Sequence, residues 1–388
     1  MIRGKIVYFI NGYFFIDDSF IFGSVEVKDG FFGDFHEGEA KEELLQDAYT
    51  DLKGAYVIPG LVDIHIHGAN GADTSDGTVE AIQCMSRYLA SVGVTSFLPT
   101  AMTLPEEGIH AVTSSVLMAA ASREKGAARP VGIRLEGPFL SKEKKGAQNE
   151  AYLRNPDREM FRRIWEKSEG KIKIIDVAPE LPGAMDFIRS VSADCRVSLG
   201  HTAADYDIAA EAFEAGASHL THLYNAVNPL LHRAPGPIGA AFMNPAASAE
   251  IISDGIHSHP AALVAAFKLF QGRISLISDS IRCCGLTDGT YDLSGQEVHL
   301  AGRKVTLADG TIAGAALNLY EDMKNAVRFG IPKHEAILAA TRVPADYIGE
   351  TKIGRIEKGA YADFVVCDET LERRAVYISG NHPQSISG

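Results

Sequence analysis

The sequence predicts a (β/α)8 TIM-type barrel carrying a small β-sandwich domain built from both ends of the chain. Three observations carry that prediction. Apolar, β-branched runs recur at 57–66, 95–100, 131–136, 172–178, 196–200, 218–224, 249–253 and 274–278. Amphipathic stretches with apolar positions at helical spacing separate most of them, as in GTVEAIQCMSRYLASVG and ADYDIAAEAFEAGA. Short strand-like segments split by turn residues occupy both ends of the chain. Eight strands interleaved with helices over about 220 residues is the count of a barrel. A doubly wound open sheet is the alternative, but no GxGxxG or Walker-type loop opens any of the helices.

The terminal pieces are residues 1–55, with KIVYFING and FIFGSVEVKDGFFGDF, and 350–382, with GRIEKGAYADFVVCDETLERRAVYISG. Neither has enough apolar length for its own core, so the two are expected to pair into one domain. The barrel then occupies 56–349, and the closing NHPQSISG is polar and expected to fray. A length of 388 residues, 46% hydrophobic and 22% charged, is that of an ordinary globular enzyme. A formal net charge of −13 argues against nucleic acid or an anionic membrane as partner, and an anionic small substrate would need local cations. Five cysteines without a CxxC, two of them adjacent at Cys283 and Cys284, do not make a disulfide framework and point to a reducing cytoplasm. The chain opens without a signal-peptide pattern and has no uncharged apolar run of about 18 residues, so no transmembrane helix is expected.

In a barrel the chemistry sits at the C-terminal ends of the strands. Strand one, PGLVDIHIHG, ends in His65 and His67, which share one side of a strand and are followed by glycines that let the backbone turn. Strand three, VGIRLEG, ends in Glu136, and strand five, RVSLGHT, in His201. Strand six, SHLTHLYNA, carries His222, and strand eight, ISLISDS, ends in Asp279. Singly, each has a plain structural reading: a strand-end histidine as a hydrogen-bonded residue, Glu136 or Asp279 as a cap. Together, four histidines and two carboxylates on one barrel mouth form the donor set of a divalent metal. Imidazole and carboxylate without cysteine suit Zn²⁺, Fe²⁺, Mn²⁺ or Co²⁺. Such a metal lowers the pKa of water to about 7 and polarises a carbonyl oxygen. A carboxylate beside it takes the water's proton and delivers it to a leaving group. Asp279 fits that role, because the amine expelled from an amide must be protonated. The chemistry is metal-assisted hydrolysis.

At this point the chain resembles the amidohydrolase superfamily over nearly its whole length. PGLVDIHIHG is similar to the superfamily's first-strand motif and IGRIEKGAYADFVVCD to its C-terminal β signature. More specific are LEGPFLSKEKKGAQN, LGHTAAD, THLYNAVNPLLHRAPGPIGA, ISDGIHSHP and ISDSIRCCGLTDGTYDLSGQ, which resemble the branch that deacetylates 6-phosphorylated N-acetyl amino sugars. The resemblance implies that Glu136, His201 and His222 bind the principal metal and that Asp279 is the general acid/base. It further implies that His65 and His67 contribute to a second metal position beside a bridging Glu136, so one or two metals per subunit are expected. Asn225 and the backbone of Ala226 match positions that contact the sugar phosphate, and His257 matches a histidine that orients substrate. Arg233 matches an arginine supplied to the phosphate by the neighbouring subunit, which implies a homodimer; guanidinium pairs with phosphate bidentately. Where many relatives carry a histidine near the substrate acetyl group, this chain has Gln148, which donates hydrogen bonds but cannot become cationic.

The implied substrate is N-acetylglucosamine 6-phosphate, hydrolysed to glucosamine 6-phosphate and acetate. The galacto epimer is the nearest rival. A cyclic-amide hydrolase or deaminase is more distant, because KIKIIDVAPE has no lysine at the end of strand four. A barrel retained only as a sugar-phosphate binder would have lost ligands or the acid/base, and every one is present.

Overall fold

The computed structural model describes residues 6–382. The first five residues and positions 383–388, most of the tail expected to fray, lie outside the described residues. Strands Ile6–Ile16, Ser19–Lys28 and Phe31–Glu37 form an antiparallel meander. The first of them also pairs in parallel with Ala48–Asp51 and then with Tyr56–Pro59. From the far end of the chain, Phe364–Cys367 adds antiparallel to Tyr56–Pro59, and Arg373–Tyr377 adds to it in turn. The terminal β unit is thus one mixed seven-stranded sheet. It curls over its own core of Phe9, Phe14, Val25, Phe32, Val57 and Phe364. Phe9 meets Phe364 edge-on at 4.8 Å, and the Phe32 N–H donates to the Ala360 carbonyl at 2.9 Å.

The barrel strands are Leu61–Ile66, Val94–Ala101, Ile133–Leu135, Ile172–Val177, Arg196–Leu199, His219–Leu220, Ser248–Ile251 and Ile274–Leu276, each parallel to the next. Strand one returns to the end of strand eight through Asp279 N–H to the His65 carbonyl, 3.0 Å, and His67 N–H to the Ser280 carbonyl, 2.9 Å. Outward-facing Ile133, Leu135, Ile175, Val197, Leu199 and Ile251 pack into the main core under the helices. Those helices start where capping chemistry places them: the Thr78 side chain accepts from the Ala81 N–H ahead of Val79–Ser91, and Asp205 from the Ile208 N–H ahead of Tyr206–Ala215.

Two features differ from the sequence expectation. The apolar run 57–66 is two strands, one in each sheet, joined at Gly60. A Cβ there would lie 2.1 Å from Thr95 Oγ1, so only glycine lets the chain cross between sheets at this point. The second is a three-stranded antiparallel sheet, Gly289–Leu293, Gln296–Ala301 and Lys304–Thr306, inserted after strand eight. It seats Leu293, Val298 and Val305 on Ile281 and Cys283 and stands over the C-terminal mouth of the barrel. No helix among the described residues is long and apolar enough to cross a membrane.

Candidate active site

All six residues expected from the strand ends converge at that mouth, and all are buried: His65, His67, Glu136, His201, His222 and Asp279 are no more than 7% exposed. His201, His222 and Asp279 lie just beyond their strands with φ of +46°, +26° and +47°. Tyr224 and Ala226 in the same loop are also left-handed, at +78° and +52°. Non-glycine residues in that region carry strain, and here the strain turns side chains inward at the strand ends.

Glu136 Oε1 lies 3.1 Å from both His201 Nε2 and His222 Nε2, and those two nitrogens are 3.2 Å apart. The other ring nitrogens are committed: His201 Nδ1 donates to the Lys144 carbonyl at 2.8 Å and His222 Nδ1 to the Asn225 carbonyl at 3.1 Å. A carbonyl only accepts, so each Nδ1 carries a proton and each Nε2 is the ring atom turned inward. Three potential ligand atoms therefore meet at one point, which suits a cation held by two imidazoles and a carboxylate. A second group adjoins it. His65 Nε2 and His67 Nε2 are 3.3 Å apart and lie 3.4 and 3.3 Å from Asp279 Oδ1. His67 Nε2 is also 3.1 Å from Glu136 Oε2, so Glu136 stands between the two groups.

Burial pushes the Glu136 carboxyl up, but the imidazoles of His65 and His201 hold it well below the usual carboxylate range. Asp279 behaves alike: burial raises it, and His65 and His67 bring it below its ordinary value. A buried carboxylate next to the ligand cluster is placed to accept a proton.

A cavity of about 400 Å³ opens over these groups, lined among others by Gln148, Asn225, Ala226, His257, Leu293 and Ile312. His257 Nδ1 donates to Asp254 Oδ2 at 2.7 Å, which orients the ring. Arg233 is different. It is exposed and does not line the cavity of its own chain. A larger cleft, about 870 Å³, lies elsewhere between Arg87, Tyr88, Lys125, Arg373 and Arg374. Neither potential metal-binding cluster reaches it, so the smaller cavity is the chemical one.

Beneath the ligands sits a layer that sequence reasoning missed. Arg134, fully buried in the barrel lumen, donates to Glu250 Oε2 at 2.5 Å and to both Asp176 oxygens at 3.0 Å. It also reaches Thr221 Oγ1 at 3.1 Å and the Ile64 carbonyl at 3.3 Å. Glu250 Oε1 in turn accepts from His65 Nδ1 at 2.6 Å and from the His222 N–H at 3.2 Å, while Oε2 is 3.2 Å from His219 Nε2. One carboxylate thus fixes the His65 tautomer and the His222 backbone together. The available signal was a charged residue inside an apolar strand run, Arg134 in VGIRLEG and Glu250 in AEII; strands covered on both faces admit charges only as pairs.

A barrel whose strand ends bring together two groups that could hold metal ions, with a buried carboxylate among them, has the architecture of a metal-assisted hydrolase. More narrowly, the chain belongs to the amidohydrolase family, whose profile matches residues 56–384. It is 39% identical over 312 residues to the N-acetylglucosamine-6-phosphate deacetylase of Bacillus subtilis, covering 79% of this chain and 78% of that protein. It is 33% identical over 334 residues to an N-acetylgalactosamine-6-phosphate deacetylase of Escherichia coli, covering 85% and 88%. Among solved structures, a mutant N-acetyl-D-glucosamine-6-phosphate deacetylase of Mycobacterium smegmatis, in complex with N-acetyl-D-glucosamine-6-phosphate, has a TM-score of 0.89 at 28% identity. It covers 98% of this chain and 99% of that one.

Proposed function

We propose that this chain hydrolyses the acetamide of N-acetylglucosamine 6-phosphate to glucosamine 6-phosphate and acetate. The observation that carries the reading is the buried Asp279 carboxylate, its Oδ1 3.4 and 3.3 Å from His65 and His67 Nε2, beside the Glu136, His201 and His222 cluster, in a chain whose relatives are amino-sugar phosphate deacetylases. Glu136, His201 and His222 would hold the principal cation, with His65 and His67 placed to serve a second beside Glu136. A divalent cation bound there would supply Lewis-acid chemistry, polarising the acetamide carbonyl and acidifying water. Asp279 accepts the proton of the attacking water and passes it to the departing sugar amine. Asn225, Ala226 and His257 line the cavity and orient the sugar phosphate.

Arg233 serves the phosphate of the partner subunit's substrate, in a homodimer. Its exposure, and that of Leu230, Leu231 and Met243 nearby in sequence at 38%, 53% and 63%, supports an interface there. The five unpaired cysteines fit a cytoplasmic setting. Acetate release from the gluco and galacto N-acetylhexosamine 6-phosphates, measured on purified protein of known metal content, tests the reading. Faster release from the gluco epimer supports it; faster turnover of the galacto epimer replaces the sugar, and no release from either by metal-replete protein overturns the activity.

A further inference from the structure

Gln148 stands where the family resemblance implies a histidine beside the substrate acetyl group, yet its amide is committed elsewhere. The residue is 2% exposed. Its Oε1 accepts the Thr103 backbone N–H at 2.8 Å. A backbone N–H only donates, so this bond decides which end of the amide is oxygen and turns Nε2 the other way. Nε2 donates to Glu136 Oε2 at 2.6 Å. Glu136 therefore divides its oxygens: Oε2 takes the amide, and Oε1 faces His201 and His222 at 3.1 Å. The segment that carries Gln148 is anchored as well. The Gln148 N–H donates to the Lys145 carbonyl at 2.9 Å, the Lys144 carbonyl accepts from His201, and Gln296 of the inserted sheet donates to the Ala147 carbonyl at 2.6 Å.

We infer that Gln148 is a positioning residue for the cation site, holding the Glu136 carboxylate so that Oε1 points at His201 and His222, rather than a contact to the acetyl group. This rests on the cation-binding part of the proposed function. Without the amide, Oε2 keeps His67 Nε2 at 3.1 Å but loses its shorter partner, and the carboxylate is freer to rotate about its terminal bond away from His201 and His222. A short hydrogen bond to a charged acceptor removes that freedom. Outer partners of this kind are worth roughly 10–100-fold in metal affinity.

The test is the Zn²⁺ dissociation constant of the metal-stripped protein, read by competition with a chromogenic chelator without substrate. Gln148→Met keeps the volume and removes the donor; Gln148→Asn keeps an amide but withdraws it from Glu136. Both variants are expected to bind Zn²⁺ roughly 10–100-fold more weakly, with KM at saturating zinc within about twofold of the parent. Should Gln148→Met fold poorly, Gln148→Asn carries the test alone. Parental zinc affinity in a folded variant overturns the inference. So does a tenfold rise in KM with zinc affinity intact, which would make Gln148 a substrate contact. Because zinc is measured without sugar, a wrong substrate assignment leaves this result standing.

Discussion

Replacing Arg134 with methionine removes the guanidinium that ties barrel strands one, three, four and seven together beneath the site. Its partners are not equally exposed to the loss. Glu250 keeps His65 Nδ1, the His222 N–H and His219 Nε2. Asp176 has both oxygens on Arg134, so it becomes the uncompensated group. Burial already raises the Asp176 carboxyl and Arg134 only partly offsets that, so in the variant Asp176 is driven towards the protonated form. Breaking a buried ion pair from one side costs about 3–5 kcal/mol. At roughly 2–4 °C per kcal/mol, Tm falls by about 6–20 °C. Adding Asp176→Leu removes the orphaned carboxylate and should recover on the order of 1–3 kcal/mol. Thermal and urea unfolding followed by circular dichroism, at one protein concentration and scan rate, reads both effects. An Arg134→Met protein within about 1 kcal/mol of the parent, or a double variant less stable than the single, would refute the ion-pair argument.

Asp279→Asn should retain metal and bind substrate while losing on the order of 10²–10⁴ in kcat; near-parental turnover by metal-replete variant would remove Asp279 from proton transfer. Arg233→Ala should raise KM roughly tenfold or more for the phosphorylated sugar, as expected for losing a charge-assisted bidentate pair, and far less for free N-acetylglucosamine. Equal effects on both sugars would exclude phosphate recognition by that side chain. Asp322 is fully buried with neither carboxylate oxygen hydrogen-bonded, and burial followed by Asp254 and Asp63 pushes it well above its ordinary value. Its folded pKa exceeds the unfolded one, so the native chain binds the extra proton and this group's contribution falls as pH rises above about 4. Asp322→Asn should therefore gain stability relative to the parent as pH is raised from about 4 to 8; a difference that stays flat with pH would show that Asp322 does not titrate in that window.

The strand ends were legible because the information is local. His65, His67, Glu136, His201, His222 and Asp279 each follow an apolar run by a residue or two, and barrel topology brings such ends to one mouth. The eight runs coincide with the barrel strands for the same reason, although Gly60 divides the first between two sheets. The inserted sheet over the mouth follows the eighth strand and lies outside the βα alternation, so the barrel periodicity does not announce it. Gln148 was legible as a position near the chemistry, but not as a partner of Glu136.

Amino-acid order alone determined the barrel, the terminal β unit and the set of groups available for chemistry. Periodicity and strand-end residues are short-range properties, and the backbone has few ways to satisfy them. Only the folded chain decided which group serves which. Arg134 meets Glu250 across 116 positions, and His65 meets Glu250 across 185. A charge in the lumen must be matched by whatever the opposite strands bring, and that match depends on register and inward-facing geometry rather than on any neighbour in sequence.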